Sequence, residues 1–514
     1  MTENSTVTRR AFMAGAAGMA GLGMAGLAST ARAAESAKAD KKASAASDAA
    51  WDEEADVVVV GLGAAGSAAA VEAIEAGAKV VVIEENGRGG GSTIVSGGLL
   101  YMGGTQLQKD LGIEDSVENM YNYIAKATGP NADPDLIRTF CDSSPELYDW
   151  LVSHGVAFEG DVDTEAHVVV APQGVCLNYS GNERNAEYAA VADPAPRGHT
   201  PVGGGMGVFE KLEAIIDEKA TVLYNVRGSE VVTDEAGAVI GVRGQDADGK
   251  TVSVKAAKGV VLSCGAFTYN DAMTECYDQA AVAAGGRTGV PNDQGDGILM
   301  GMAVGGAVKS MNLLNLQMFI YRYGDMPCGV VIDSRGLRFM AEDCYGTWIG
   351  RGIEKRSPEA AWIVLDQPLS ENIADNLGMG DPTPVAQADT LEELAATLGV
   401  NADALTATIE RYNSLVEGGE DVDYHKDVFY LKKVETAPFY AYDCSMPQLG
   451  YHTLGGLKIN KNAEVISRTG EVIPGLYAAG RTSCGIYGEY PGSGSSIADG
   501  LTFGRIAGKQ AAAR

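Results

Sequence analysis

Two continuous apolar runs early in the chain predict two neighbouring buried strands. The first run, Val57–Val60, leads into the glycine-rich turn Gly61–Gly66, and the second run, the apolar part of the predicted strand Lys79–Ile83, ends at the acidic residue Glu84. Between them, the Ala-rich stretch Ser67–Ala76 has the composition of a helix. Continuous apolar runs are typical of strands that are buried on both faces of a parallel sheet. The pattern therefore predicts a parallel strand–helix–strand unit.

The residues of this unit are suited to holding a dinucleotide. Glycines permit a tight turn and let the backbone approach a pyrophosphate, and the helix N-terminus supplies N–H groups and a favourable dipole. Glu84 lies 23 residues after Gly61, near the spacing of an acid that accepts a hydrogen bond from a ribose hydroxyl. The fingerprint alone fits FAD and NAD. The predicted contacts in this unit are Gly61, Gly63, Ala64, Ala65, Gly66, Glu84 and Glu85.

Further glycine-rich segments favour FAD. The segments Gly89–Thr93 and Ser96–Gly98 form a second Gly/Ser-rich loop after the acid, which suits a chain that passes close to a flat ring system. Near the other end, Val472–Gly480 has the pattern of a strand that runs into another glycine turn, and the helical stretch Ser496–Ala512 follows it.

The composition narrows the possible functions. At about 150 residues per domain, the 514 residues suggest roughly two to four domains, and 46% apolar residues are enough for a large core. The chain has 39 Lys and Arg against 68 Asp and Glu, which argues against a nucleic-acid partner and an anionic membrane surface. None of the eight cysteines forms a Cys-x-x-Cys pair, so we expect no metal or haem site.

The first 34 residues have the features of an export signal. The segment Thr8–Met13 contains two adjacent arginines, the apolar run Ala14–Ala28 is too short and Gly-rich for a stable membrane span, and Ala31–Ala33 fits a cleavage site. We expect a twin-arginine signal over 1–34 and a flexible linker over 35–52, with the mature protein in the periplasm or at the exterior of the cell envelope. An uncleaved anchor and a disordered start remain alternatives.

Motifs of flavoprotein character recur along the rest of the chain. They are the loop Gly89–Thr93, the strand Gly259–Phe267, the turn Gly295–Gly297, the stretch Gly336–Glu342 and the turn His452–Gly456. In this order they resemble the fumarate reductase and 3-ketosteroid dehydrogenase family of flavoproteins, from about residue 55 to the C-terminus.

The resemblance implies an α/β fold with a doubly wound, Rossmann-like FAD-binding domain, split in sequence, and an inserted α+β capping domain. The expected boundaries are 53–310 and 446–514 for the FAD-binding domain and 311–445 for the cap, with substrate between the cap and the flavin ring. Covalent and non-covalent FAD both remain open. The further FAD contacts that we expect are Gly91, Ser92, Thr93, Ser96, Gly97, Gly98, Cys264, Gly265, Asp296, Gly480, Arg481, Ser495, Ser496 and Ile497.

The fumarate-reducing branch of this family needs cations that hold two carboxylates and an arginine that donates a proton. The segments Leu365–Ser370 and Gly488–Gly494, where that branch has arginines, contain none. His452 does match that branch. The arginines that could substitute are Arg322, Arg338 and Arg351.

The sequence Tyr490-Pro491-Gly492-Ser493-Gly494 instead looks like the ketosteroid dehydrogenase loop. Carried over, the Tyr490 hydroxyl and the Gly494 N–H grip one carbonyl oxygen as an oxyanion hole, which acidifies the adjacent C–H. A phenol can then exchange the proton at the α-carbon. Tyr345 is the first candidate for that role, and the alternatives are Tyr321, Tyr323 and Tyr101.

Structural roles compete with these assignments. The Tyr490 segment could be only a tight turn, Tyr345 could be a packing residue, His452 could satisfy backbone groups, and Arg481 could be solvated. For Glu342 we expect the structural role, an ion pair with Arg338 that locks the cap.

Three functions remain after this reasoning. The first is an enzyme that makes or reduces a C=C bond beside the carbonyl of a 3-ketosteroid or another enone. The second is a fumarate-type reductase of an unsaturated organic acid, and the third is a flavin-loaded binding or electron-transfer protein without catalysis. An exported enzyme without a haem motif needs an electron partner, such as a separate cytochrome or quinol-linked protein.

Overall fold

The computed structural model describes residues 51–164, 174–318, 324–373 and 383–514. The predicted signal, most of the predicted linker, and the candidates Tyr321, Arg322 and Tyr323 lie outside the described residues. Within the described ranges, no helix combines the length and apolar character that crossing a bilayer requires.

The described chain is a mixture of helices and strands. The strands are β1 Glu53–Val60, β2 Val80–Glu84, β3 Leu100–Tyr101, β4 Asp161–Asp163, β5 Val175–Asn178, β6 Gly198–His199, β7 Thr221–Tyr224, β8 Val226–Thr233, β9 Val239–Asp246, β10 Thr251–Leu262, β11 Gly286–Arg287, β12 Val308–Lys309, β13 Leu314–Met318, β14 Val330–Asp333, β15 Ala361–Leu365, β16 Ala386–Ala388, β17 Phe439–Asp443, β18 Leu449–Thr453, β19 Gly456–Leu457, β20 Glu464–Ile466 and β21 Val472–Ala478. The helices are α1 Ala64–Glu75, α2 Gly91–Ile94, α3 Gln106–Asp110, α4 Val117–Thr128, α5 Pro134–Asp142, α6 Ser144–Ser153, α7 Ala186–Ala189, α8 Gly204–Lys219, α9 Asp271–Tyr277, α10 Gln279–Ala283, α11 Asp296–Ala303, α12 Gly346–Arg356, α13 Gln367–Glu371, α14 Leu391–Leu398, α15 Ala402–Gly418 and α16 Ser495–Ala513.

The largest sheet has the order β20-β21-β10-β1-β2-β7, and the β8–β9 hairpin extends it by pairing with β10. Strands β21, β10, β1, β2 and β7 are parallel. Both predicted apolar runs lie here, and Val57–Val60 pairs in register with Val80–Ile83. Helices from both ends of the sequence, α1 and α16, pack against this sheet. The predicted fold class, an α/β fold with a doubly wound, Rossmann-like sheet, is therefore confirmed.

A second, antiparallel sheet with the order β14-β15-β17-β16 has its own hydrophobic core, into which α12, α14 and α15 pack. Next to it lies a buried ion network. The Arg338 guanidinium donates to both carboxylate oxygens of Glu342, at 2.9 and 2.8 Å, and to Asp421 at 2.6 Å, while Lys426 lies 3.2 Å from Glu342. The expected Arg338–Glu342 pair is thus present. The sheet lies inside the predicted cap, although the domain boundaries stay a prediction.

Two smaller sheets position the candidate chemistry. In the sheet β11-β18-β13, His452 on β18 lies opposite Asn315 on β13. The sheet β3-β6-β5-β4 lies beside the loop that carries Tyr490, since Gly181, which follows β5, forms an isolated bridge with Gly492.

Candidate active site

A cavity of about 820 Å³ opens at the carboxyl ends of the parallel strands. Its walls include Val60 from the end of β1, Glu84 from the end of β2, Cys264 after β10 and Gly480 after β21. Ligands of open α/β sheets bind at this edge because the strand ends and helix N-termini meet there. The same cavity is also lined by Tyr490, so one continuous space joins the predicted dinucleotide turn to the predicted carbonyl loop.

The glycine turn is built for close backbone approach. Gly61 has φ of +93°, and a Cβ at this position would lie 2.6 Å from the Ser263 carbonyl oxygen. The buried Glu84 carboxylate accepts from the Leu62 N–H at 2.9 Å with one oxygen and from the Asn86 N–H at 2.9 Å with the other. The acid therefore fixes the turn while its remaining lone pairs stay available to a ribose.

The structure brings most of the predicted cofactor residues to this one cavity. Those in its lining are Gly61, Gly63, Ala64, Ala65, Glu84, Glu85, Gly91, Ser92, Thr93, Ser96, Gly97, Gly98, Cys264, Gly265, Asp296, Gly480, Arg481, Ser496 and Ile497. The two predicted contacts outside the lining are Gly66 and Ser495. A Cβ on Gly66 would lie 1.9 Å from the Gly61 carbonyl oxygen, and Ser495 is fully buried with its hydroxyl donating to Gly492. Packing accounts for both residues.

These features fit FAD. A glycine turn at a helix N-terminus suits the pyrophosphate, an acid at the second strand end suits the adenosine ribose, and Gly/Ser-rich loops let a flat ring approach the backbone. The polarity of the lining also fits FAD, because the lining combines glycine backbone, hydroxyls and a few charged groups.

Sequence reasoning missed Asp293, which organises the middle of the cavity. Its buried carboxylate accepts from the Ser92 hydroxyl at 3.0 Å, from Arg481 at 2.9 Å and from the Ala266 N–H at 3.1 Å. Asp293 thereby connects the predicted cofactor residues Ser92 and Arg481 to Ala266, which directly follows the predicted contact Gly265. The available signal was its place two residues before the turn Gly295–Gly297.

Arg227 was also missed. It lines the cavity from β8 and donates two hydrogen bonds to Asp296, at 2.9 and 2.7 Å, with Glu85 at 3.7 Å. It therefore holds together two acids that the sequence had placed at the cofactor. No motif surrounds it, so only the packing of helix α11 on strand β8 reveals it.

Tyr490 and Gly494 both line the other end of the cavity. Tyr490 is buried, and its ring centroid lies 5.8 Å from that of Tyr487, 5.9 Å from that of His452 and 6.1 Å from that of Tyr345. Gly494 has φ of +90° and precedes helix α16, and its carbonyl accepts from Tyr101 N–H. Within the part of the chain that the structure describes, no acceptor faces the Gly494 N–H. This N–H is thus suited to a ligand oxygen.

His452 is held as a neutral group. Its Nδ1 lies 2.9 Å from the Thr288 hydroxyl and its Nε2 lies 3.4 Å from the Asn315 amide nitrogen, and Asn315 accepts from Thr347. Burial, aided by the positive charge of Arg481, lowers the pKa of His452 to about 3. An uncharged imidazole can orient a neutral substrate but gives a carboxylate little electrostatic attraction.

Tyr345 does not line the cavity as far as the structure describes it. It is fully buried at the start of α12, and its ring stacks on that of Tyr490 at an interplanar angle of 25°. Tyr101 is likewise buried outside the lining. Burial raises the pKa of Tyr101 and that of Tyr487 well above the ordinary range, so both stay protonated phenols. The assignment of the proton-exchanging tyrosine stays a prediction.

The arginines in the lining are already paired with carboxylates. Arg227 pairs with Asp296, Arg481 with Asp293 at 2.9 Å, and Arg287 with Asp271 at 2.5 Å. The two candidate substitutes lie elsewhere. Arg338 belongs to the buried network of the cap, and Arg351 pairs with Glu354 at 2.5 Å and approaches Glu489 at 3.7 Å. In the described residues, therefore, no uncompensated guanidinium faces this cavity.

Among the described residues, no group of three His, Cys, Asp or Glu side chains is placed to hold a metal ion.

A family model described as an FAD binding domain matches residues 56–497 of the chain. The chain belongs to this FAD-binding family. FAD as the cofactor and an FAD-dependent oxidoreductase acting on CH–CH groups, both predicted from the sequence, are confirmed at the level of the family. The predicted resemblance to ketosteroid dehydrogenases and fumarate reductases is confirmed as well.

Relatives from both branches are similar to the chain. The structure of 3-ketosteroid-Δ4-(5α)-dehydrogenase from Rhodococcus jostii RHA1 with 4-androstene-3,17-dione superposes with a TM-score of 0.86 at 36% identity, covering 92% of this chain and 100% of that one. The 3-oxosteroid 1-dehydrogenase of Mycobacterium tuberculosis is 29% identical over 88% of this chain and 98% of its own length. The fumarate reductase (cytochrome) of Shewanella frigidimarina is 29% identical over 89% of this chain and 77% of its own length.

Proposed function

We propose that the protein is an exported FAD-dependent dehydrogenase or reductase of 3-ketosteroids or similar enones, acting on the carbon–carbon bond beside the carbonyl. The observation that carries this proposal is the presence of Tyr490 and Gly494 together on the wall of the FAD-binding cavity. Both can donate a hydrogen bond without carrying a charge. The paired state of Arg227, Arg287 and Arg481 supports a neutral substrate over a dicarboxylate.

In this mechanism the chain polarises the substrate carbonyl. Two neutral donors on the oxygen stabilise the negative charge that develops there when the α-proton leaves, and two well-placed donors in a dry site are worth more than in water. Tyr345 or another tyrosine of the cap exchanges that proton. FAD, when bound, supplies the donor or acceptor of the hydride at the β-carbon. The Tyr345 and Tyr487 rings stack on that of Tyr490 and pack around the proposed carbonyl donor.

Reduction of an unsaturated organic acid is the second candidate function. It is supported by His452 in the cavity lining, which matches the fumarate-reducing branch, and by a fumarate reductase relative whose identity equals that of the steroid relative. Its weakness is electrostatic, because a substrate carboxylate would have to compete with Asp271, Asp293 or Asp296 for a guanidinium.

The substrate class can be tested by single turnover. The purified flavoprotein would be reduced anaerobically and mixed with a panel that contains 4-androstene-3,17-dione, a 1,4-diene-3-one steroid, a simple cyclic enone, fumarate and urocanate. We expect reoxidation by one or more ketones and at most slow reoxidation by the acids. Reoxidation by acids alone would refute the carbonyl-binding role of Tyr490 and support the second candidate.

Export and the electron partner complete the proposal. The two arginines at positions 9 and 10 support the twin-arginine route, and an exported enzyme of this kind exchanges electrons with a separate cytochrome or quinol-linked protein. Replacing both arginines by lysine in the full-length chain should retain the protein in the cytoplasm, as measured by fractionation of cells. Export that persists after this change would contradict the route.

A further inference from the structure

Asn182 lies buried at a junction of three segments, away from the cofactor turn. Its backbone N–H donates to the Tyr123 hydroxyl at 2.8 Å, and that hydroxyl in turn donates to the Pro491 carbonyl at 2.7 Å. Its side-chain oxygen accepts from the Tyr345 backbone N–H at 2.6 Å. Asn182 is 3% exposed and Tyr123 is 1% exposed. One asparagine therefore connects the start of α12 to the loop that follows Tyr490.

The segment around Asn182 is itself fixed to the same loop. Gly181 forms a bridge with Gly492, and the Ser493 N–H donates to the Ser180 carbonyl at 2.7 Å. Backbone contacts thus attach the segment directly to the Tyr490 loop. The hydrogen bond from the Tyr345 N–H to Asn182 connects this segment to helix α12.

The two residues joined in this way are the two predicted participants in the carbonyl chemistry. Tyr345 and Tyr490 stack with ring centroids 6.1 Å apart, and nothing along the sequence holds them together, since they lie 145 positions apart. A buried donor or acceptor that loses its hydrogen-bond partner costs free energy. The hydrogen bonds at this junction therefore oppose any separation of the two rings. Displacement of a positioned group by about 1 Å can cost on the order of 100-fold in rate.

We propose that Asn182 is a positioning residue that sets the register between Tyr345 and Tyr490, and thereby the geometry of the carbonyl-binding end of the cavity. The inference rests on the proposed function, in which the Tyr490 loop holds a ketone. Asn182 touches neither cofactor nor substrate in this account, and it acts through the Tyr345 N–H and the Pro491 carbonyl.

A pair of variants separates this role from simple packing. Asn182→Leu keeps a similar volume but removes the acceptor for Tyr345. Asn182→Asp keeps an oxygen acceptor for the Tyr345 N–H at that position. Tyr442→Phe is the control, because Tyr442 on β17 is buried and its hydroxyl forms a hydrogen bond with Ser370 on α13, 2.8 Å away.

The measurement is anaerobic reoxidation of the reduced holoenzyme by a ketone that the wild type accepts, with the limiting rate and the apparent Kd taken from the concentration dependence. We expect Asn182→Leu to lower the limiting rate by about 10- to 100-fold with a change in Kd of less than about threefold. Asn182→Asp should stay within about fivefold of the wild type, and Tyr442→Phe should leave the rate unchanged.

Three results would overturn the inference. They are a wild-type rate for Asn182→Leu, equal losses in both Asn182 variants, and a rate loss in Tyr442→Phe as large as that in Asn182→Leu. Should Asn182→Leu fail to fold, Tyr123→Phe removes the bond to Pro491 from the other side and should show the same loss of rate at unchanged Kd. A wild-type enzyme that no ketone reoxidises overturns the proposed function first, whereas an active wild type with an indifferent Asn182→Leu overturns this inference alone.

Discussion

The two ends of the cavity are held in different ways. At the dinucleotide end, a glycine turn and ion pairs such as Arg227–Asp296 form the cavity wall. The predicted cofactor-binding residues at this end lie at or directly after the ends of strands. At the carbonyl end, Tyr490 and Gly494 offer only neutral donors, and aromatic rings with long-range hydrogen bonds position them. The comparison teaches that cofactor binding is fixed by local chain geometry, whereas substrate binding depends on contacts between distant segments.

The largest effect is expected at the dinucleotide end. Gly61→Ala combines an unfavourable φ of +93° with a clash against the Ser263 carbonyl, so we expect a protein that purifies with little or no flavin. The ratio of flavin to protein absorbance measures this. Gly77→Ala is the matched control, since Gly77 also has positive φ, +81°, but has open space around it. Equal flavin loss in both variants would show that backbone strain, and not the clash, decides the result.

The next effect concerns the carbonyl end. Tyr490→Phe should keep FAD but lower kcat/KM for a ketone by about 100- to 1000-fold, the usual cost of one oxyanion-hole donor. Steady-state kinetics on the holoenzyme measure it. Tyr487→Phe is the control, because the buried Tyr487 ring stacks on that of Tyr490 but Tyr487 is not among the residues of the cavity lining. Loss of flavin in Tyr490→Phe would contradict the account, because it would mean that the carbonyl end of the cavity also determines FAD binding.

A smaller effect is expected where the two ends meet. Asp293→Asn removes the charge that pairs with Arg481 while an oxygen remains for the Ser92 hydroxyl or the Ala266 N–H. Because the hydrogen bonds to an ionised group are the stronger ones, we expect flavin affinity to fall by about tenfold. Titration of the apoprotein with FAD, followed by fluorescence, measures it. Unchanged affinity would show that Asp293 only shapes the loop.

The smallest effect concerns pH. Burial lowers the pKa of His452 to about 3, so the imidazole is neutral at every pH above about 4. As pH falls from 8 to 5 the site gains no charge from this residue, and the profile of kcat/KM for a ketone should show no inflection near 6.5 that His452→Gln removes. An inflection present in the wild type and absent in that variant would mean that the histidine titrates during catalysis.

The sequence alone predicts the dinucleotide end well because its signals are local. The turn Gly61–Gly66 and Glu84 are close in sequence and meet through one strand–helix–strand unit, so spacing is enough. Asp293 was missed because its partner Ser92 lies 201 positions away, and Arg227 because the packing of helix α11 on strand β8 brings it to Asp296. The structure stacks the ring of Tyr345, at the start of α12, on that of Tyr490, and no local pattern reveals this contact because the two residues lie 145 positions apart.

A binding titration tests most directly whether Tyr490 and Gly494 bind the substrate carbonyl as uncharged hydrogen-bond donors. Oxidised holoprotein would be titrated with 4-androstene-3,17-dione and, separately, with fumarate, and the visible absorbance of the flavin would be followed for the wild type and for Tyr490→Phe. The account predicts a saturable spectral change with the ketone that Tyr490→Phe weakens strongly, and little change with fumarate. A saturable change with fumarate, unaffected by Tyr490→Phe and absent with the ketone, would contradict it.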